Sequence, residues 1–159
     1  MADETQASIR VACGVICERD NKILMVREHR SDEGIVLNQP VGKLKLGEDL
    51  LLAACREVRE ETGYDIELIA FLGAYAWQTP EGNTSIRFCF IGQISDEEAR
   101  KEARATQDWI EPRWLSREEL AQSESSFRNP VTKACLEDYL AGQRYPLSVI
   151  RKVGSITGN

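Results

Sequence analysis

The sequence predicts one α+β domain, and three observations carry that prediction. Apolar, β-branched runs bounded by turn residues recur along the chain, separated by helical stretches that lack the strict alternation of a doubly wound fold. One helix after Asp49 and another after Asn129-Pro130 carry start signals, with Gly63 and Gly142 placed to end them. The 159 residues allow one substantial core and give no reason for a second. We therefore expect a single domain over 1–159, with its core at about 8–150 and flexible ends at 1–7 and 152–159.

In chain order, Arg10 to Cys17 reads as a mostly buried strand, Asp20-Asn21 as a turn, and Ile23 to Val26 as the hairpin partner. His29 to Gly34 is polar and reads as a loop; Ile35-Val36-Leu37 reads as a short strand. Asn38-Gln39-Pro40 then leads into a glycine-bounded loop from Gly42 to Gly47. Asp49 can accept the free amides of a first helical turn. Within that helix Leu51, Ala54, Cys55, Val58 and Thr62 form an inward stripe, leaving Glu57, Glu60 and Glu61 on the other face. Ile66 to Trp77 and Thr84 to Ile94 read as long strands joined by the turn Thr79-Pro80-Glu81-Gly82-Asn83. The charged stretch Ser95 to Thr106 reads equally as a short solvated helix or a loop. Trp109 to Leu115 reads as a strand whose Pro112 suggests a sheet edge or bulge. Ser116-Arg117-Glu118-Glu119 is a capping-box pattern for a short helix, and Pro130 opens a closing helix to about Leu140.

The net charge of −6 argues against broad nucleic-acid binding, which needs a basic surface to displace counterions. The five cysteines lie mostly in apolar runs, and His29 is the only histidine, so no zinc pattern arises and reduced buried thiols are expected. The polar, acidic start does not read as a signal peptide, and no apolar run approaches the ~20 residues of a membrane helix. A cytoplasmic monomer with no membrane partner is the expectation.

On a helix, Glu57, Glu60 and Glu61 are neighbours, with Glu48 at its mouth. The bland reading is a solvated helix face. Like charges at this spacing repel, however, and an innocent surface helix would interleave lysines there. Glycines at 42 and 47 also let backbone approach a ligand closely. A divalent cation is the natural partner of such a crowd.

At these residues the chain resembles a known family. Gly42, five residues, Glu48, seven residues, then Arg56-Glu57-Val58-Arg59-Glu60-Glu61-Thr62-Gly63-Tyr64 is similar to the complete signature box of the Nudix hydrolases. Tyr64 stands where the family usually has an aliphatic residue, a structural position. The resemblance implies an α/β/α sandwich around a mixed β-sheet that hydrolyses a nucleoside diphosphate linked to another group. It implies that Glu57, Glu60 and Glu61 bind Mg²⁺ or Mn²⁺, with a backbone carbonyl near Val41-Gly42 as a further ligand. It also implies that Glu48 assists and that Arg56 holds a glutamate in place. The general base stays open between Glu60, Glu61 and an acidic residue of Ser95–Arg104.

Further stretches, Leu37-Asn38-Gln39-Pro40-Val41-Gly42, Ser85 to Phe90 and Gly142-Gln143-Arg144-Tyr145-Pro146-Leu147, are similar to the phosphatase NudJ branch of that family, with Leu37 where a tryptophan is usual. That likeness implies a promiscuous phosphohydrolase. Expected substrates are small molecules: nucleoside tri- and diphosphates, hydroxymethylpyrimidine pyrophosphate and thiamine pyrophosphate, with orthophosphate released. A mutator-type triphosphate pyrophosphatase releasing pyrophosphate is the alternative; an RNA 5′-end pyrophosphohydrolase and a catalytically silent binding module stand behind it. Gln39, Trp77 and Arg87 are the expected substrate-side residues, although Trp77 could equally be a rim or core side chain and Arg87 an ion-pair partner. Lys43 and Lys45 read as solvated loop residues, and Trp109 and Trp114 as packing residues.

Overall fold

The computed structural model describes residues 8–104 and 107–154. The expected flexibility of 1–7 and of 155–159 lies outside the described residues, as do Ala105 and Thr106. Strands β1 (Ile9–Arg19) and β2 (Lys22–Arg30) form the expected hairpin, turning through Asp20 and Asn21, both at positive φ. β3 (Gly34–Asn38) and β4 (Val41–Lys43) follow, then helix α1 (Leu50–Thr62). The long strands β5 (Ile66–Gln78) and β6 (Thr84–Ile94) pair antiparallel. A one-turn helix α2 (Asp96–Ala99), strand β7 (Ile110–Ser116), α3 (Arg117–Gln122) and α4 (Pro130–Leu140) complete the order.

The sheet runs β3-β2-β1-β6-β5, with β4 added to β1 and β7 to β2. β1 runs parallel to β6 but antiparallel to β2 and β4, so the sheet is mixed. Alternation along β1 sends Val15 to one face and Ile16 to the other. Val15 joins Ala54, Val58 and Phe90 beneath α1, while Ile16 joins Leu72, Leu136 and Tyr139 beneath α4. Helices therefore cover both faces of a mixed sheet, the α/β/α layering that the family resemblance implies. Pro112 sits in β7 opposite Val26, and among the described residues β7 pairs only with β2, so this strand is an edge where the missing amide does no harm.

Two local departures matter for the site. The segment Val41-Gly42-Lys43 is a strand, not part of a loop: it pairs with Gly14, Cys13 and Ala12 of β1. β2 also runs on past Val26 to Arg30, because β3 and β7 flank it and His29 donates its N–H to the Trp109 carbonyl at 2.8 Å. The expected loop shrinks to three residues, Ser31 to Glu33. Among the described residues no helix is long and apolar enough to cross a membrane.

Candidate active site

α1 starts where Asp49 accepts the Leu52 amide at 3.0 Å and stops at Gly63, whose φ of 79° suits a glycine. Between these caps the division of faces differs from the sequence pattern. Leu51 and Cys55 are only half-buried, whereas Ala53, Glu57 and Glu61 are buried. The reason is that α1 packs not only on β1 and β5 but also against β4 and β7, which cover the carboxylate side. Only Glu60 keeps a half-exposed side chain.

Beside this helix lies a cavity of about 460 Å³ lined by Glu57, Glu60, Glu61, Gly42, Glu28, Arg30 and Trp109, among others. Gly42 is there of necessity. A Cβ at this position would stand 2.0 Å from the Glu57 carboxylate carbon, so any side chain would drive that carboxylate away.

Arg56 organises the carboxylates from one side. Its Nε and Nη2 donate to the two oxygens of Glu48 at 2.6 and 2.9 Å. Nη1 donates to Glu57 Oε1 at 2.7 Å and Glu60 Oε2 at 3.0 Å, and Nη2 also donates to the Lys43 carbonyl at 3.1 Å. All five guanidinium N–H bonds are thereby committed. Glu48 is spent on Arg56 and the Lys45 amide, and the Arg56 hydrogen bond holds its carboxyl below the usual range. Burial pushes Glu57 up, with Arg56 opposing the shift. Glu61 is pushed well above the usual range by burial first, then by the charges of Glu57 and Glu28. Its Oε2 accepts the Val41 amide at 3.3 Å, and among the described residues no lysine or arginine pairs with it.

Negative charge is therefore under-compensated on the Glu61 side of the cavity. The donors are hard carboxylate oxygens, the set that suits Mg²⁺ or Mn²⁺. Among the described residues no three acidic, histidine or cysteine side chains close into a ready-made cage, because Arg56 draws Glu57 and Glu60 towards itself. Glu57 Oε2 and Glu61 Oε1 are the oxygens that Arg56 and Val41 leave over.

The three expected substrate residues stand elsewhere. Gln39 is fully buried: its Nε2 donates to the Thr132 carbonyl at 2.8 Å and its Oε1 accepts from Arg87 Nη1 at 2.6 Å. Arg87 also donates to Asn38 Oδ1, which accepts from the Thr132 hydroxyl as well. This network ties β3 and β6 to α4 on the sheet face opposite α1, since alternation puts Arg87 on the side of Cys89. Trp77 packs against the α4 core and lines a second cavity of about 630 Å³ with Arg10, Ser85 and Arg128. None of the three lines the carboxylate cavity.

Conversely, the sequence reading missed Glu28, Arg30 and Trp109. Glu28 is 4% exposed and accepts from Arg30 Nε and Nη2 on one oxygen, at 3.2 and 3.1 Å. The signal was period-two alternation: Leu24 and Val26 of β2 are followed on the same face by Glu28 and Arg30. Trp109 is not a packing residue. It is 42% exposed, with the Arg30 guanidinium carbon 5.4 Å from its ring centre.

A NUDIX domain model matches residues 8–135. The chain belongs to the Nudix hydrolase family. This Nudix hydrolase is 34% identical over 142 residues to phosphatase NudJ of Escherichia coli K12, with 89% of each chain covered, and equally similar to that of Shigella flexneri. Among solved structures, a NUDIX hydrolase from Nitrosomonas europaea matches with a TM-score of 0.81 at 33% identity, covering 92% of this chain and 98% of the other. A MutT NUDIX hydrolase from Burkholderia pseudomallei, at 23% identity, shares the fold with a TM-score of 0.64, covering 82% and 98% of the two chains. The chain is thus an enzyme of a family that hydrolyses phosphoanhydrides of small nucleotide-type molecules and generally uses a divalent metal.

Proposed function

We propose that this Nudix hydrolase cleaves the phosphoanhydride bonds of nucleoside tri- and diphosphates, hydroxymethylpyrimidine pyrophosphate and thiamine pyrophosphate, releasing orthophosphate. Mg²⁺ is the proposed cofactor, with Mn²⁺ as a substitute. The observation that carries the reading is the buried, under-compensated Glu61 beside Glu57, at a cavity edge where Gly42 lets the carboxylates approach the backbone. Similarity to phosphatase NudJ supports orthophosphate as the product.

In this reading Glu57, Glu60 and Glu61, with a carbonyl at Val41-Gly42, hold the cation. When bound, it supplies charge neutralisation for the phosphates and a lowered pKa for the attacking water. Arg56 fixes Glu57 and Glu60, and Glu48 fixes Arg56. Glu60 or Glu61 then takes the proton of the attacking water. Of the acids of α2, Asp96 pairs with Arg19, and Glu98 binds Lys101 and accepts the Asp65 amide. None of them lines the cavity.

A substrate panel with the released product identified tests the proposal. Orthophosphate from nucleoside triphosphates and from thiamine pyrophosphate, lost on chelation, is the expected result. Pyrophosphate from a triphosphate would replace this reading with a mutator-type pyrophosphatase.

A further inference from the structure

We propose that Arg30 is the fixed cation that receives a phosphate of the substrate, and that Glu28 and Trp109 position it for that task. The inference rests on the hydrolase reading of the cavity. A phosphoanhydride arrives with several negative charges at a site already rich in carboxylates. Among the described residues the cavity offers four cationic side chains: Arg30, Lys43, Lys45 and Arg56. Arg56 has every N–H committed to Glu48, Glu57, Glu60 and Lys43. Lys43 and Lys45 are solvent-exposed, and holding a free lysine chain costs rotamer entropy.

Arg30 is the one that is both fixed and available. Its Nε and Nη2 donate to Glu28 Oε2, and its guanidinium lies over the Trp109 ring at 5.4 Å. Trp109 is itself pinned, because its carbonyl accepts the His29 amide at 2.8 Å. Nη1 of Arg30 makes no hydrogen bond among the described residues, and the side chain is 34% exposed. Glu28 has a second cation nearby, Arg128 Nε at 3.8 Å, so neutralising Glu28 does not account for Arg30 alone. A planar guanidinium with one edge anchored and one edge open is suited to paired N–H···O bonds with a phosphate.

The experiment compares wild type with Arg30→Ala, Arg30→Lys, Glu28→Gln, Trp109→Ala and Trp109→Phe. It measures kcat and KM for a nucleoside triphosphate with Mg²⁺, calorimetric binding of methylenebisphosphonate with Ca²⁺, and Mn²⁺ binding by electron paramagnetic resonance. Arg30→Ala is expected to raise KM about tenfold or more and weaken bisphosphonate binding equally, since bonds to charged groups are the strong ones. Its kcat should stay within about threefold and its Mn²⁺ affinity within about twofold, readings that a merely collapsed site would not give. Arg30→Lys should recover part of the loss, and Glu28→Gln should raise KM without touching Mn²⁺ binding. Trp109→Ala should cost about two- to fivefold in KM, and Trp109→Phe should restore most of it because an aromatic face remains. The proposal is overturned if Arg30→Ala changes KM and bisphosphonate affinity by less than about threefold, or if Mn²⁺ binding falls with them. Undiminished turnover in a Glu61→Gln protein would instead sink the hydrolase reading itself, whatever Arg30 does.

Discussion

Glu57 and Glu61 show how burial changes the meaning of a residue. Read as solvated glutamates they need nothing; buried at 8% and 6% exposure they need compensation, and Arg56 supplies it to Glu57 but not to Glu61. The thiols of β1 show the same effect without any ligand. Burial, with the Cys55 thiol beside it, pushes Cys17 from its usual 9.0 up to about 12. A folded-state pKa raised in this way leaves stability intact below about 9 and erodes it as pH climbs towards 12. We predict that stability falls by up to ~1.4 kcal/mol per pH unit in that window on account of Cys17. Urea midpoints at successive pH values should show a shallower fall for Cys17→Ala; an equal fall in the two proteins would contradict the assignment. The box glutamates were legible because their spacing is local and fixed. Arg30 and Trp109 were not, because 79 residues of chain separate partners that meet only through strand pairing. Trp77 rather than Trp109 was expected on the substrate side, since nothing local to either records which cavity it borders.

At the scale of elements, α1 is the piece most completely written in its own sequence. Asp49 and Gly63 bound it as expected, and Thr62 closes it by donating its hydroxyl to the Val58 carbonyl at 2.6 Å. Asp49 carries a second duty in the ion pair from Lys152 Nζ at 3.2 Å, which ties down a stretch expected to be loose. Asp49→Ala should therefore cost about 1 kcal/mol for the lost cap. Lys152→Ala breaks an ion pair whose lysine end is solvent-exposed and should cost less than about 1 kcal/mol. Chemical denaturation of the two variants checks the order, and a larger loss from Lys152→Ala would contradict it. β4 was the element hidden from the sequence. Val41-Gly42-Lys43 has no strand signature of its own, and its conformation comes from pairing with three residues of β1. Element existence was read well where caps or long apolar runs are local, and poorly where a partner strand decides.

For the whole molecule, the mixed sheet is what turns scattered residues into a site. β1, parallel to β6 and antiparallel to β2 and β4, sets the glycine strand beside α1 and carries Glu28 and Arg30 to the same rim. One face of the sheet thereby holds the carboxylates, while the polar network of Gln39, Arg87 and Thr132 locks α4 to the other. A protein of net charge −6 must place positive charge where an anionic substrate lands, a task that would fall to a divalent cation on α1 assisted by Arg30. The most direct measurement is a Mn²⁺ titration followed by electron paramagnetic resonance, run alongside turnover, for wild type and Glu61→Gln. Glu61→Gln is expected to weaken Mn²⁺ binding by at least about tenfold and to abolish measurable hydrolysis while the protein stays folded. Mn²⁺ affinity and turnover both equal to wild type would contradict it.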